Sequence, residues 1–172
     1  MRHVILVTTG GTIEKTYDEF TGELANRGSI VRRMLSDLRL EDTRVEVVEV
    51  MSKDSLLMTS DDRDAIAEAV LSACRSERFI GVDGVVILHG TDTLAETGHR
   101  LLERAGRPPV PVVLTGAMRP YEMKQSDALQ NLTEALFATG VLPPGIYAVA
   151  HGRALPFPGV EKDRQHGTFV RR

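Results

Sequence analysis

Five short apolar runs alternate with amphipathic, helix-spaced stretches, and this alternation predicts an α/β domain with a doubly wound, mainly parallel five-stranded sheet and flanking helices. The length points to one domain, residues 1–172, because a chain of this size with 42% hydrophobic residues can bury a sizeable core. A third observation is topological. Polar, glycine-containing clusters follow the first and third apolar runs, and the common strand order 2-1-3-4-5 makes those two strands neighbours whose connections diverge.

The elements follow in order. HVILVTT (3–9) is a buried strand that begins almost at the first residue. SIVRRMLSDL (29–38) has helical spacing at Val31, Met34, Leu35 and Leu38, and RVEVVEV (44–50) is a partly alternating second strand. TSDDRDAIAEAVLSACR (59–75) is a helix opened by a polar cap, with Ile66, Val70 and Cys74 on one face. DGVVILHG (83–90) is the third strand, and TLAETGHRLLERAG (93–106) is a helix stopped by Gly106 and Pro108. PVVLTGAM (111–118) is the fourth strand, SDALQNLTEALFATG (126–140) a helix with a serine or aspartate cap, and GIYAVAHG (145–152) the fifth strand. No repeat or low-complexity tract interrupts the series.

The formal net charge is -3 and the pI is near 6.0. No run of Lys and Arg marks a nucleic-acid groove, and the closing FVRR is too short to form one. A single cysteine, Cys74, rules out an intrachain disulfide framework and reads as a small apolar residue on a helix face. His3, His89, His99, His151 and His166 have no zinc-ligand spacing, so no structural zinc is expected. The opening apolar run is too short for a signal peptide's core or a membrane span, which leaves a cytoplasmic protein without membrane attachment as the expectation.

The chemistry lies in the two clusters. In TTGGTIE, Gly10 and Gly11 permit a sharp turn and a close approach of backbone amides to a ligand, flanked by the hydroxyls of Thr8, Thr9 and Thr12. A phosphate cradle is one reading, although the stretch has neither the G-K-[ST] of a P-loop nor a G-x-G-x-x-G fingerprint. A tight turn whose threonines complete strand hydrogen bonds is the other. In HGTDT (89–93), Asp92 beside Thr91 can orient a lysine or water as the base that a threonine nucleophile needs. Amides at the start of the following helix can hold an anion. The alternative is a helix cap by Thr91, Asp92 or Thr93. A cap needs only one such residue, so three in succession favour chemistry.

With these motifs the chain resembles the bacterial-type L-asparaginase family, whose signatures stand here as Thr9-Gly10-Gly11-Thr12-Ile13 and His89-Gly90-Thr91-Asp92-Thr93. DSLLMT (54–59), TGAMRP (115–120) and SDALQNL (126–132) extend the resemblance over essentially the whole chain. The resemblance implies hydrolysis of L-asparagine to L-aspartate and ammonia through a threonine nucleophile and an acyl-enzyme, without metal or cofactor and with L-glutamine at most a weak substrate. It gives Thr12 the nucleophilic role and makes Thr91, Asp92 and Lys162 a proton-relay cluster. Ser55 would meet the α-carboxylate and Asp92 the α-amino group, with Gly11, Asp54, Gly90 and Thr91 also binding the substrate. Tyr17, in the charged stretch EKTYDEFTGEL, is the candidate for a tyrosine on a flap, where Phe20 has no hydroxyl to offer; a half-buried packing role is its alternative.

Two departures from the family pattern matter. Relatives usually carry a second, C-terminal domain, whereas this sequence stops ten residues beyond Lys162, and Ala128 stands where relatives often have glycine. A homo-oligomer that covers the surface left open is therefore expected. Two rival functions remain: an ammonia-releasing subunit of an amidotransferase, and a non-catalytic amino-acid-sensing module. A sensor would need no nucleophile, so the joint presence of Thr12, Thr91, Asp92 and Lys162 argues against it.

Overall fold

The structure, a computed structural model, describes residues 1–75 and 81–172. Its elements in chain order are β1 (Arg2–Gly10), β2 (Thr16–Asp18), β3 (Glu23–Ala25), α1 (Val31–Ser36), β4 (Thr43–Lys53), α2 (Ser60–Arg75), β5 (Gly84–Leu88), α3 (Leu94–Ala105), β6 (Pro111–Thr115), α4 (Ala128–Ala138), β7 (Gly145–Ala150), β8 (Arg153–Pro156), β9 (Val160–Asp163) and β10 (Thr168–Arg171). Single 3-10 turns at Thr12–Glu14 and Ser55–Leu57 follow β1 and β4.

The main sheet has the order β4-β1-β5-β6-β7-β8, and its first five strands run parallel. That is the predicted α/β arrangement with the predicted 2-1-3-4-5 order. Every residue of β5 and β6 is buried, which is why these strands read as unbroken apolar runs. Alternate residues face two cores. Val4, Leu6, Val86, Leu88 and Val113 pack on Val31 and Met34 of α1 and on Leu132 and Leu136 of α4. Ile5, Val7, Val85, Ile87 and Leu114 pack on Ile66 and Val70 of α2 and on Leu94 and Leu101 of α3. Cys74 packs partly buried against this second core, and burial pushes its thiol up.

A sixth strand corrects the expected five. The apolar run ends at Ala150, and His151 (φ 53) and Gly152 (φ 74) form a two-residue turn that sends β8 back antiparallel along β7. Positive φ at both loop positions suits the right-handed twist of a hairpin. The His-Gly pair lacks the Asn-Gly or Asp-Gly signature that marks such turns most clearly. Beyond β8 the chain forms a small antiparallel hairpin, β9–β10, anchored by buried Val160 and Phe169. Its approach is held against α3. A β-carbon at Gly98 would collide with the Phe157 ring, which also meets His99 edge-on at 5.2 Å.

The starts of α2 and α4 use side-chain chemistry. Thr59 and Asp62 form a reciprocal capping box at α2: the Asp62 carboxylate accepts the Thr59 N–H at 2.8 Å, and Thr59 Oγ1 accepts the Asp62 N–H at 3.3 Å. At α4 the Ser126 hydroxyl accepts the Ala128 N–H, while the Asp127 carboxylate faces the loop after β6. The second hairpin, β2–β3, carries Phe20 near its tip at 92% exposure. Among the described residues no helix is long and apolar enough to cross a membrane.

Candidate active site

The chain leaves β1 toward β4 on one side and leaves β5 toward β6 on the other, and the loops after β4, β1 and β5 meet at the crevice where these connections diverge. Glycine lets them meet. A β-carbon on Gly11 would lie 2.5 Å from Gly90 Cα, and one on Gly90 would lie 2.5 Å from Ser55 Cβ. Both distances are far inside van der Waals contact, so Gly11, Gly90 and Ser55 stack closely one on the next. Gly11 is further restricted by φ 79, a conformation that favours glycine. Thr12, the next residue, heads the 3-10 turn at the rim and is partly exposed.

This geometry resolves the two readings of TTGGTIE. The Gly10 N–H is taken by Glu14 Oε2 at 3.1 Å and the Gly11 N–H by the Lys53 carbonyl at 2.9 Å. Neither amide points to a phosphate. Thr9 completes strand bonding instead, its hydroxyl donating to the Leu88 carbonyl of β5 at 2.8 Å. Glu14 is buried beneath the turn, where burial pushes its carboxyl up despite the hydrogen bonds from Ser29 and Gly10. It braces the loop by accepting from both.

HGTDT proves richer than a cap. Thr93 stands at the N-cap of α3 without capping it, and its hydroxyl donates to the Ser55 carbonyl at 3.0 Å. Thr91 and Asp92 turn toward the β9–β10 hairpin. Lys162 Nζ donates to Thr91 Oγ1 at 2.8 Å and to Asp92 Oδ1 at 3.0 Å. Thr91 is 4% exposed and the Lys162 side chain 15%, so the cluster is largely shielded from water. Burial pushes the Asp92 carboxyl up, but the hydrogen bonds and charges of Lys162 and Arg164 outweigh it and hold the group below the usual carboxylate range. Asp92 is therefore ionised at neutral pH.

The hairpin presents Lys162 through its own register. Lys162 pairs across the strands with buried Phe169, and cross-strand partners share a face. The next pair, Asp163 with Thr168, ties the hairpin to the rest of the rim. Thr168 Oγ1 meets His151 Nδ1 at 3.2 Å, and His151 Nε2 meets Asp127 Oδ2 at 2.7 Å. Asp127 in turn accepts the N–H groups of Met118 and Arg119, each at 3.0 Å. The loop after β6, the β7–β8 turn and the lysine-bearing hairpin are thus one hydrogen-bonded unit.

The other expected residues occupy less direct positions. Ser55 is buried at 2% exposure beside Gly90. Asp54 starts the second 3-10 turn, accepting the Leu56 N–H at 3.0 Å and the Lys15 ammonium at 2.8 Å; these bonds, the lysine's foremost, lower its carboxyl. Tyr17 lies on β2 at 59% exposure, and its backbone N–H is tied down by Glu122 at 3.0 Å. It is neither half-buried nor joined to the cluster by a hydrogen bond. Ala128 opens α4 fully buried, where its methyl group is accommodated in the core.

Three participants were not foreseen. Arg164, in the turn after β9, donates to Asp92 Oδ1 at 2.6 Å across 72 residues of sequence. Lys15 is the partner of Asp54. His89 is fully buried and bridges Gly90 to α3: its Nδ1 lies 2.8 Å from the Gly90 carbonyl and its Nε2 2.8 Å from Thr97 Oγ1. A carbonyl can only accept, so Nδ1 carries the proton and Nε2 receives the Thr97 hydroxyl. Burial pushes His89 down to about 4, which keeps it neutral and the Gly90 peptide oriented. Its place in the HGTDT motif was the available signal.

Comparison with known proteins agrees with this geometry. The model for the family described as "Asparaginase, N-terminal" matches residues 3–168. An L-asparaginase of Thermococcus kodakarensis is 36% identical over 144 residues, which cover 84% of this chain and 42% of that protein. A glutamyl-tRNA(Gln) amidotransferase subunit of Aeropyrum pernix is 30% identical over 176 residues, covering 96% of this chain and 40% of that one. The solved thermostable L-asparaginase from Thermococcus kodakarensis superposes with a TM-score of 0.84 at 32% identity, covering 98% of this chain and 51% of that chain. The chain thus spans about half, or somewhat less, of the length of these relatives. Both signature turns meet at the β1/β5 crevice, and the family match runs almost from end to end: the chain belongs to the asparaginase family.

Proposed function

We propose that this domain hydrolyses the side-chain amide of L-asparagine, releasing L-aspartate and ammonia. The observation that carries this reading is the Lys162 ammonium, held between the Thr91 hydroxyl and the Asp92 carboxylate beside the Gly11–Gly90 contact. In this reading Thr12 Oγ1 attacks the amide carbon. Its proton passes through the Thr91–Lys162 pair to the departing nitrogen, which leaves as ammonia, and an aspartyl ester remains on Thr12. Water then attacks that ester, gives a proton back through the same relay, and frees aspartate and the Thr12 hydroxyl. General acid–base transfer of this kind is worth about 10²–10⁴-fold. The substrate carboxylate approaches Ser55, the α-ammonium approaches Asp92, and Tyr17 rides over the site on the β2–β3 hairpin.

The resemblance to the amidotransferase relative supports a second reading, in which the site supplies ammonia to a partner enzyme. Steady-state ammonia release by the purified chain, with asparagine and glutamine in parallel, separates the two. We expect turnover of asparagine, and of glutamine only weakly. Release from glutamine alone would favour the ammonia-supplying role, and no release from either amide would overturn the hydrolase reading.

A further inference from the structure

We infer that Arg164 determines substrate preference by competing with the α-ammonium of an amino-acid substrate for Asp92. This deepens the proposed function and rests on it. Lys162 and Arg164 converge on the same oxygen, Asp92 Oδ1, at 3.0 and 2.6 Å. The two cations are held very differently. Lys162 is 15% exposed, fixed on β9 and bonded also to Thr91. The Arg164 side chain is 66% exposed in the β9–β10 turn, and Asp92 is its side-chain partner among the described residues.

One carboxylate between two cations leaves the cluster with a net charge of about +1 by simple Coulomb counting. An asparagine α-ammonium directed at Asp92 arrives as a third cation at a cluster that is already positive, and the loosely held Arg164 is the charge it competes with. A side-chain amide that lacks the α-ammonium, such as succinamic acid, meets no such penalty, and its carboxylate is attracted to the cluster. Arg164 therefore raises KM for asparagine and narrows its advantage over the des-amino amide. It acts on binding, where Thr12 and Lys162 act on the chemical step. An exposed ion pair is worth at most about five-fold in an equilibrium, which bounds the effect.

The test is steady-state kinetics of Arg164→Gln and Arg164→Lys with asparagine and succinamic acid, at low and high salt. Arg164→Gln should lower KM for asparagine by up to about five-fold at unchanged kcat. It should leave KM for succinamic acid unchanged or raised. Arg164→Lys, which keeps the charge, should stay near the wild type, and added salt should shrink the asparagine effect. An asparagine KM that is unchanged or raised in Arg164→Gln, or two KM values that shift together, would overturn the inference. If the wild-type chain releases no ammonia, the functional reading fails separately. Calorimetric titration with aspartate and succinate then decides Arg164 by the same pattern of affinities.

Discussion

Replacing Lys162 by methionine isolates the group on which the proposed chemistry turns. The substitution approximates the length of the side chain and keeps its packing beside Phe169, but deletes the ammonium that joins Thr91 to Asp92. Asp92 retains Arg164, so the carboxylate is not left without a cation. What is lost in stability is a charged hydrogen bond and the partner of one buried hydroxyl, about 1–3 kcal/mol. For a domain of this size that is a fall in Tm of roughly 2–12 °C. Loss of the proton path should cost about 10²–10⁴-fold in kcat. Lys162→Arg should fail almost as badly, because guanidinium keeps the charge but does not release a proton near neutral pH. Ammonia release measures kcat, and thermal unfolding followed by circular dichroism measures the stability term. A Lys162→Met enzyme that keeps kcat within about ten-fold of wild type would refute the relay, since even the weak end of acid–base catalysis exceeds that.

The remaining predictions address the rest of the crevice. Thr12→Ala should abolish turnover while leaving the unfolding transition nearly in place, because it removes a partly exposed hydroxyl; Thr91→Val should abolish turnover too, at a cost of about 1–3 kcal/mol because the Lys162 ammonium loses a buried acceptor; substantial activity in Thr12→Ala would move the nucleophile to Thr91. Gly11→Ala should destabilise the domain by about 1–3 kcal/mol or more, since its methyl group would press on Gly90 at a positive φ; urea unfolding at wild-type stability would contradict the backbone contact. His89 is buried neutral with its pKa lowered from 6.5 to about 4, so the unfolded chain binds the extra proton between those values. Its contribution is present above pH 6.5 and is lost as pH falls toward 4, on the order of 3 kcal/mol in all. Urea titrations between pH 7 and 4 should show that loss, and His89→Gln should flatten it.

Legibility in the sequence followed the range of the interactions. The strands were readable because β1, β5 and β6 are buried on both faces, which demands continuous apolar runs. Their order is the commonest one for a five-stranded doubly wound sheet, and that order brings the two polar clusters to one crevice. The β7–β8 turn was missed because His151 adopts a positive φ that its residue type does not announce. Thr91 and Asp92 stood out locally as more polar groups than a cap requires, and the structure directs neither to capping. Lys162 had no local signature: its contact with Thr91 spans 71 residues and was legible only through family resemblance. Arg164 depends on where a hairpin turn falls against a distant loop, a tertiary fact that no local pattern encodes. Tyr17 remains the least constrained assignment, on an exposed hairpin with no hydrogen bond to the cluster.

The central claim is that an aspartyl ester on Thr12 lies on the path from asparagine to aspartate, and partition of that ester between water and hydroxylamine tests it most directly. A covalent intermediate presented with both nucleophiles should yield aspartyl hydroxamate beside aspartate, at a ratio that rises with hydroxylamine, and both products should vanish in Thr12→Ala. Ammonia release that yields aspartate alone in the presence of hydroxylamine, or hydroxamate formation undiminished in Thr12→Ala, would contradict the account.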